Sequence, residues 1–196
     1  MELLTHFMNL ILGSSSPSRK AVLEEMGMVF SVISPDIDER AIRRDDPREL
    51  VRAIAQAKMD AVLEQVTGQA VIICSDQVMV VDGEVREKPA SKEEAYAFIA
   101  TYASTPQVAT SATVVCNTAN GKRVYAIEEV AVTFDPIPQE NIETFVESGE
   151  AFHFAGGLAA DHPLFRPYVH IDGELEALMG LPLKKTLEML EEVQAT

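Results

Sequence analysis

Serines and basic side chains are grouped where a predicted strand gives way to a predicted helix. The apolar run that ends at Gly13 is followed by three hydroxyls and, in the first helical turn, two cations: Ser14, Ser15, Ser16, Arg19 and Lys20. Backbone N–H groups at a helix N-terminus attract phosphate, and serine hydroxyls add donors. The helix dipole disfavours cations in a first turn, so helix stability does not explain the two basic residues. The loop is a candidate anion site, and the alternative is an exposed turn with a capping serine.

Asp76 is the second residue whose position suggests chemistry. It follows the apolar run VIICS, and the sequence predicts a strand over 70–74 that ends at Ser75 and Asp76. In open α/β sheets, ligands bind beyond the carboxyl ends of the strands. A carboxylate at that edge can bind Mg²⁺ or take a proton from water. The alternative is an aspartate that caps a helix or closes a turn.

Other charged residues gain interest only in combination. Asp36, Asp38 and Glu39 form a carboxylate cluster that can hold a hard cation, although such clusters are more often solvated loops. Lys58 falls on a predicted helix and Lys88 follows a predicted hairpin, and a single lysine in either place is typical of a solvated surface. The four histidines lack the spacing of a metal site. By themselves, these residues assign no function.

The charge balance narrows the classes of partner. The 196 residues carry 16 Lys+Arg against 31 Asp+Glu, and the net charge of −15 argues against nucleic-acid binding. Half of the basic residues lie within positions 1–60, where an anionic ligand would find them. No apolar run approaches the ~20 residues of a membrane span, and the start lacks the basic segment of a signal peptide. Cys74 and Cys116 fall in predicted strands, which suggests buried thiols in a reducing, cytoplasmic compartment.

The elements that must position these residues follow the order βαβα, then hairpins, then helices. Strands are predicted over 8–13 and 29–34, and a long helix over 47–68. Asp82-Gly83 and Asn120-Gly121 are strong hairpin signals, and hairpins require antiparallel pairs. The pattern therefore predicts an α/β protein with a mixed sheet. Residues 150–172 give no clear pattern.

The same stretches resemble, in order, the motifs of the Maf family, the septum-formation-associated nucleotide pyrophosphatases. They are LILGSSSPSRKAVLEEMG, SPDIDER, LVRAIAQAKMDAV, VIICSDQVMVVDG with REKP, DPIPQENIETFVESGE, and MGLPL. They cover almost the whole chain, so a single Maf-like domain over 1–196 is expected. The resemblance implies an elongated, two-lobed α/β fold, with a central mixed β-sheet flanked by helices and a cleft between the lobes.

The resemblance also implies an activity. Members hydrolyse deoxy, modified or other nucleoside triphosphates to the monophosphate and pyrophosphate, using a divalent cation, Mg²⁺ or Mn²⁺. This is a house-cleaning reaction of nucleotide metabolism. A non-catalytic nucleotide-binding protein linked to cell division is the alternative. The expected partner is a small nucleotide, with no nucleic acid and no membrane, and a homodimer is left open.

The family's residue roles carry over to matching positions of this chain. Asp76 matches the general base, and Asp76 and Glu39 would hold the metal. Lys58 and Lys88 match the family's two lysines. The phosphate loop of the family corresponds to the hydroxyl and basic residues of the first motif: Ser14, Ser15, Ser16, Arg19 and Lys20.

Three segments depart from the family pattern. Ser75-Asp76-Gln77 replaces Ala-Asp-Thr, and Ala177-Leu178-Met179 replaces Asn-Val-Val before Gly-Leu-Pro-Leu. Residues 155–162 replace a segment with Gln at the position of Asp161. Glutamine both donates and accepts hydrogen bonds, whereas an ionised aspartate only accepts. If Asp161 lines the base pocket, it favours a donor-rich edge such as that of guanine. The alternative is that this loop has moved and Asp161 faces solvent.

Overall fold

The computed structural model describes residues 9–195, which form a mixed α/β structure. The strands are β1 (Leu10–Gly13), β2 (Ser31–Val32), β3 (Val71–Val81), β4 (Glu84–Arg86), β5 (Gln107–Asn117), β6 (Lys122–Phe134) and β7 (Val169–Asp172). The helices are α1 (Pro17–Glu25), α2 (Pro47–Leu63), α3 (Lys92–Thr101), α4 (Gln139–Ser148), α5 (Leu175–Leu178) and α6 (Leu183–Gln194). Within 9–195, none of the helices has the length and apolar character needed to cross a bilayer.

The strands form one sheet in the order β2-β1-β3-β5-β6-β7, and β4 pairs with the far end of β3. β1 is parallel to both of its neighbours, so that Leu12 lies opposite Val32 of β2 and Ile73 of β3. β4 is antiparallel to β3, and β7 is antiparallel to β6. The predicted α/β fold with a central mixed sheet flanked by helices is confirmed.

The chain groups into two compact units. The first unit contains the residues up to Gln77, then Ser111–Glu128, and the chain from Glu174 onward. The second unit contains Val78–Thr110 and Glu129–Gly173. β3, β5 and β6 each contribute residues to both units. The description of 1–196 as a single Maf-like domain stays a prediction.

In the first unit, α1 and α6 cover one face of the sheet. The core there is built from buried side chains of three strands, α1, α6 and the residue that follows Gly180: Leu10, Leu12, Val71, Ile73, Val115, Val22, Leu23, Leu181, Met189, Leu190 and Val193. Side chains alternate between the faces of a strand, so Cys74 and Asp76 point to the opposite face from Ile73. That opposite face is covered by α2, whose Lys58 contacts Asp76.

Local sequence signals explain where the helices begin. The Ser16 hydroxyl caps α1 by accepting from the Arg19 N–H, and the Asp46 carboxylate caps α2 by accepting from the Arg48 N–H. Both caps are followed by proline, whose fixed φ suits a first helical turn and whose missing N–H costs nothing there. These caps set the points from which α1 and α2 carry Arg19 and Lys58 toward the sheet.

The two hairpin turns that contain glycine lie where the sequence predicts them. Asp82 and Gly83 both have positive φ, 52° and 80°, and Val81 faces Glu84 across the turn. This is the tight two-residue turn that the sequence predicts. Asn120-Gly121 likewise lies between β5 and β6.

Three strand predictions need correction or restriction. The strand predicted over 29–34 is formed only by Ser31–Val32, because only these two residues pair with β1. The strand predicted over 70–74 continues to Val81, so Asp76 lies inside β3 rather than after it. Parallel pairing with β1 nevertheless stops at Cys74, and Asp76 lies just beyond that point. Met8, the first residue of the strand predicted over 8–13, lies outside the described residues.

The ambiguous segment 150–172 belongs to the second unit and contains three short 3-10 turns before β7. Its anchors are aromatic: the Phe145 ring of α4 packs edge-on to Phe165 at 4.8 Å and to His162 at 4.9 Å. The Tyr102 hydroxyl donates to the Gly156 carbonyl at 2.5 Å. Contacts between residues far apart in the sequence, rather than local periodicity, define the conformation of this segment. This explains why the sequence predicts no helix or strand there.

Candidate active site

A buried lysine joins two carboxylates in the first unit. Lys58 Nζ donates to Asp76 Oδ1 at 2.7 Å and lies 2.8 Å from Glu39 Oε1. Lys58 and Asp76 are both buried, at 6 % exposure each, whereas the Glu39 side chain is half exposed. Charged groups are rarely buried unless they are paired. The fold therefore brings together three residues that the sequence singled out.

The burial of Lys58 follows from its place on α2. Leu50, Ile54 and Val62 are buried at four-residue spacing along this helix, and Lys58 occupies the missing position of that series. Residues four apart share a helix face. The lysine stem therefore packs within the apolar face and its ammonium group is directed at the sheet, where Asp76 lies.

Asp76 is held in an unusual electrostatic environment. Burial raises the pKa of Asp76 above its ordinary value of 3.8, against the opposing effects of Lys58 and Arg19, while Glu39 adds to the rise. A carboxylate with a raised pKa is a better proton acceptor than a solvated one, and such carboxylates are common at active sites. Asp76 can therefore act chemically as a general base.

The serine loop positions Arg19 beside this cluster. Ser14 is buried, and its Oγ accepts from the Ser16 N–H at 3.1 Å and from Arg19 Nη1 at 3.4 Å. Burial lowers the pKa of Arg19, and Asp76 and Glu39 act against that effect. Among the described residues, no carboxylate lies within ion-pair distance of the Arg19 guanidinium. A half-buried, always-charged guanidinium without a bonded anion fits a site that receives one.

Three residues to which the sequence analysis gave no role, Ser75, Gln77 and Gly180, connect the segment 177–180 to this region. The Gly180 carbonyl accepts from Arg19 Nε at 3.0 Å and from the buried Ser75 hydroxyl at 2.8 Å. Gln77 Nε2 donates to the Ala177 carbonyl at 2.8 Å. Two signals could have found them. Ser75 and Gln77 alternate with Asp76 along one strand, and Gly180 has a φ of +89° that favours glycine.

With this geometry established, the chain can be compared with known proteins. A family model described as Maf-like protein matches residues 9–193. The chain belongs to the Maf family. The resemblance inferred from the motifs is confirmed.

Curated Maf relatives cover nearly the whole chain. A protein of Dictyostelium discoideum named 7-methyl-GTP pyrophosphatase is 37% identical, over 94% of this chain and 96% of its own length. A dTTP/UTP pyrophosphatase of Symbiobacterium thermophilum is 36% identical, over 92% of both chains. The enzyme class predicted from the sequence, a hydrolase acting on acid anhydrides, is confirmed by these relatives.

A solved structure from Mycobacterium abscessus, titled nucleoside-triphosphatase / dITP/XTP pyrophosphatase, is more distant. It covers 67% of this chain and 76% of its own, with 15% identity and a TM-score of 0.40. Neither the fold nor the function of this chain is argued from that likeness.

The other residues that the family resemblance singled out make none of the contacts described above. Lys20 is exposed and pairs with Glu24 one helical turn along α1, at 3.4 Å, and Ser15 is exposed. In the second unit, Lys88 is exposed between β4 and α3, and Asp161 is exposed in a turn that closes with the His162 N–H on the Ala159 carbonyl. Their assignments to substrate or catalysis stay predictions.

Few donors are available to a cation, and those that are available are carboxylate oxygens, which Mg²⁺ prefers. No group of three or more His, Cys, Asp or Glu side chains within 9–195 is arranged to hold a metal ion. Asp76 and Glu39 converge on Lys58, each through one oxygen, which leaves the other oxygen of each carboxylate for a ligand. Mg²⁺ in phosphate-transfer sites uses one or two carboxylates together with substrate phosphates. The donor set fits a cation that is bound jointly with a polyphosphate.

Proposed function

We propose that this Maf protein hydrolyses nucleoside triphosphates to the nucleoside monophosphate and pyrophosphate. The observation that carries the proposal is the buried Asp76–Lys58 contact, with the half-buried Arg19 guanidinium close enough to affect the pKa of Asp76. Asp76 can accept a proton, and the Arg19 guanidinium can attract phosphate. The names of the curated relatives, which are pyrophosphatases, support the same reaction.

Asp76 is the general base of the proposed reaction. It takes a proton from a water molecule whose oxygen attacks the α-phosphorus. A bond forms between that oxygen and the α-phosphorus, the bond from the α-phosphorus to the bridging oxygen of the β-phosphate breaks, and pyrophosphate leaves with the bonding electrons. Lys58 holds the Asp76 carboxylate in place and favours its ionised form. General-base catalysis of this kind contributes roughly 10²–10⁴-fold to a rate.

The phosphate chain is bound by the first motif. A nucleoside triphosphate carries several negative charges, and the net charge of this protein is −15, so local donors must offset the repulsion. Arg19, the Ser14 hydroxyl and the first backbone N–H groups of α1 supply them. Lys20 and Lys88 are exposed, so their contribution to phosphate binding has to be measured by the kinetics of variants at each position.

Asp76 and Glu39 are the residues that would hold a divalent cation, Mg²⁺ or Mn²⁺. When bound, such a cation neutralises phosphate oxygens and retains part of its water shell. The half-exposed position of Glu39 suits a ligand that is completed by substrate rather than by protein. Activity is therefore expected to disappear with a chelator and to return with added Mg²⁺ or Mn²⁺.

The proposed base is a guanine, including its 7-methylated form. Asp161 only accepts hydrogen bonds, and guanine presents an N–H and an NH₂ group, whereas uracil and thymine present carbonyls on both sides of one N–H. Methylation at N7 also places positive charge on the base, which a carboxylate attracts. The name of the Dictyostelium relative, 7-methyl-GTP pyrophosphatase, supports this choice, while the Symbiobacterium relative names the pyrimidine alternative.

Pyrophosphate release from a panel of nucleotides tests the proposal. Wild-type protein with Mg²⁺ is expected to release pyrophosphate from 7-methyl-GTP and GTP faster than from dTTP and UTP. Faster release from dTTP and UTP would overturn the choice of base but retain the reaction. Nucleotide binding without pyrophosphate release from any member of the panel would favour the non-catalytic alternative.

A further inference from the structure

The Gly180 backbone and the Arg19 guanidinium fit each other closely. The Gly180 carbonyl accepts from Arg19 Nε at 3.0 Å. A Cβ at position 180 would lie 3.0 Å from Arg19 Nε and 3.3 Å from Nη2. Contacts this short require the neighbour to shift by a few tenths of an ångström, so a side chain at position 180 would press the guanidinium out of its present position.

The hydrogen bonds of Arg19 leave one end of its guanidinium for a ligand. Nε is used by the Gly180 carbonyl, and one Nη1–H is used by Ser14 Oγ at 3.4 Å. The other Nη1–H and both Nη2–H groups have no partner within the described part of the chain. Paired N–H groups at the end of a guanidinium bind two oxygens of a phosphate at once. The carbonyl at Nε thus fixes the plane of the fork without occupying its phosphate-binding end.

The Gly180 carbonyl is itself held in place. It also accepts from the Ser75 hydroxyl at 2.8 Å, and the same segment is tied to β3 where Gln77 Nε2 donates to the Ala177 carbonyl. Ser75 is fully buried, so its bond has no competition from water. Ser75 and Gln77, which lie on one face of β3, therefore hold the segment whose Gly180 carbonyl orients Arg19.

We propose that Gly180 is a positioning residue for substrate binding: its carbonyl and its lack of a side chain hold Arg19 so that the Nη1–Nη2 end of the guanidinium receives the triphosphate. This rests on the proposed function, in which Arg19 binds phosphate. It adds that residue 180 acts on the substrate only through Arg19, although the two are 161 positions apart in the sequence.

The test compares Gly180→Ala with Gly68→Ala. Gly68 has the same φ, +89°, and its carbonyl also accepts from a side-chain hydroxyl, that of Thr118, but a Cβ there meets nothing within 4 Å. Both changes therefore place a side chain at the same positive φ, and only the change at Gly180 brings a Cβ against another side chain. The readouts are the dissociation constant for inorganic tripolyphosphate and the KM and kcat for the best nucleotide of the panel.

Gly180→Ala is expected to raise the dissociation constant and KM at least ~10-fold, the effect of a lost charge-assisted hydrogen bond, with a smaller change in kcat. Gly68→Ala is expected to stay within about twofold of wild type. In an Arg19→Ala background, Gly180→Ala should have almost no further effect, because the methyl group enters the space that Arg19 has left. Equal effects of Gly180→Ala in both backgrounds, or an effect no larger than that of Gly68→Ala, would overturn the proposal.

A second variant covers the case in which Gly180→Ala fails to fold. Gln77→Met keeps a side chain of similar length and removes the donor to Ala177, so it should raise KM roughly 3-fold, and only when Arg19 is present. An unchanged KM, or the same rise without Arg19, contradicts the proposal. Wild-type protein that neither binds tripolyphosphate nor turns over any nucleotide would remove the proposed function, and the role of Gly180 with it. Normal wild-type turnover with equal effects in both backgrounds removes only the role of Gly180.

Discussion

The Lys58–Asp76–Glu39 cluster and the loop 155–162 are held in opposite ways. The cluster lies in the first unit, where regular elements position two buried side chains and Lys58 makes ion pairs at 2.7 and 2.8 Å. The loop lies in the second unit, consists of a 3-10 turn and bends, and presents Asp161 to solvent. Residues proposed for the reaction are thus fixed by helix and strand, and the residue proposed for base choice lies on irregular backbone.

That difference indicates where change is tolerated. A buried ion pair resists substitution because removing either partner leaves an uncompensated charge. An exposed position on irregular backbone, such as Asp161, accepts a new polar residue at little cost in stability. Lys58 and Asp76, which match the family, lie in the first kind of region, and Asp161, which departs from it, lies in the second. Substitutions in the cluster should therefore change turnover or stability strongly, and a substitution at Asp161 should have a small effect that depends on the substrate.

The largest effect is expected for Asp76→Asn. The amide keeps the shape of the side chain but cannot take a proton at the reacting water, so turnover should fall at least ~10²-fold. The Tm should change little, because Lys58 keeps its ion pair with Glu39 at 2.8 Å. Asp60→Asn is the matched control, since Asp60 is an exposed partner of Arg123 in the same unit and should leave the rate unchanged. Near-normal turnover of Asp76→Asn would remove Asp76 from the role of base.

Changing Lys58 or Lys88 to methionine should have clearly different effects on thermal stability. Lys58→Met leaves Asp76 buried without its partner, which costs about 3 kcal/mol of unfolding free energy, or a Tm roughly 6–12 °C lower. Lys88→Met removes only an exposed charge, so its Tm should match wild type, while its activity toward triphosphates falls. Thermal melts and steady-state kinetics on both variants decide. If Lys88→Met has wild-type kinetics, Lys88 is a simple surface residue.

The pH dependence of kcat/KM reports on the environment of Asp76. The base must be ionised, so activity should be lost as pH falls through a pKa that burial has raised above 3.8. Lys58 favours the ionised form, and its removal should move this acid limb to higher pH in Lys58→Met. The profile of whatever activity remains in that variant checks the direction. A limb that stays in place, or moves to lower pH, would show that another group controls it.

The smallest effect is expected for Asp161→Gln. The glutamine restores a donor and should shift base preference toward dTTP and UTP, with turnover of the best substrate changed only several-fold. Asp172→Gln, an exposed aspartate of the same unit, should leave the ranking of bases as it is. Identical rankings for wild type and Asp161→Gln would place Asp161 outside the base site, and the loop 155–162 would then have no proposed role in the choice of base.

Sequence reasoning was strongest where the signal is local. The Asp82-Gly83 hairpin and the capped starts of α1 and α2 depend on a few neighbouring residues, and these were predictable. The mixed character of the sheet was predictable from the order of the elements and the two hairpin signals. The candidate site could be named by motif, but its contacts could not. Lys58 meets Asp76 only because α2 packs on β3, although a lysine within the buried series Leu50, Ile54 and Val62 was a usable signal.

Contacts across long stretches of sequence were beyond prediction. Ser75 bonds to Gly180 over 105 positions, and no period or spacing links the two. The strand around Asp76 was also cut short, because Ser75-Asp76-Gln77 looks like a polar turn until neighbouring strands keep it extended. Both errors have one cause: tertiary neighbours, rather than local preference, decide the conformation and partners of polar residues inside a sheet.

Hydrolysis in H₂¹⁸O tests the central claim most directly. If Asp76 directs water to the α-phosphorus, single-turnover reactions should place the label in the phosphate of the nucleoside monophosphate and leave pyrophosphate unlabelled, as mass spectrometry of the products would show. Asp76→Asn should give the same label position at a rate at least ~10²-fold lower. Label in pyrophosphate, or release of labelled orthophosphate, would mean attack at the β- or γ-phosphorus and would contradict the account.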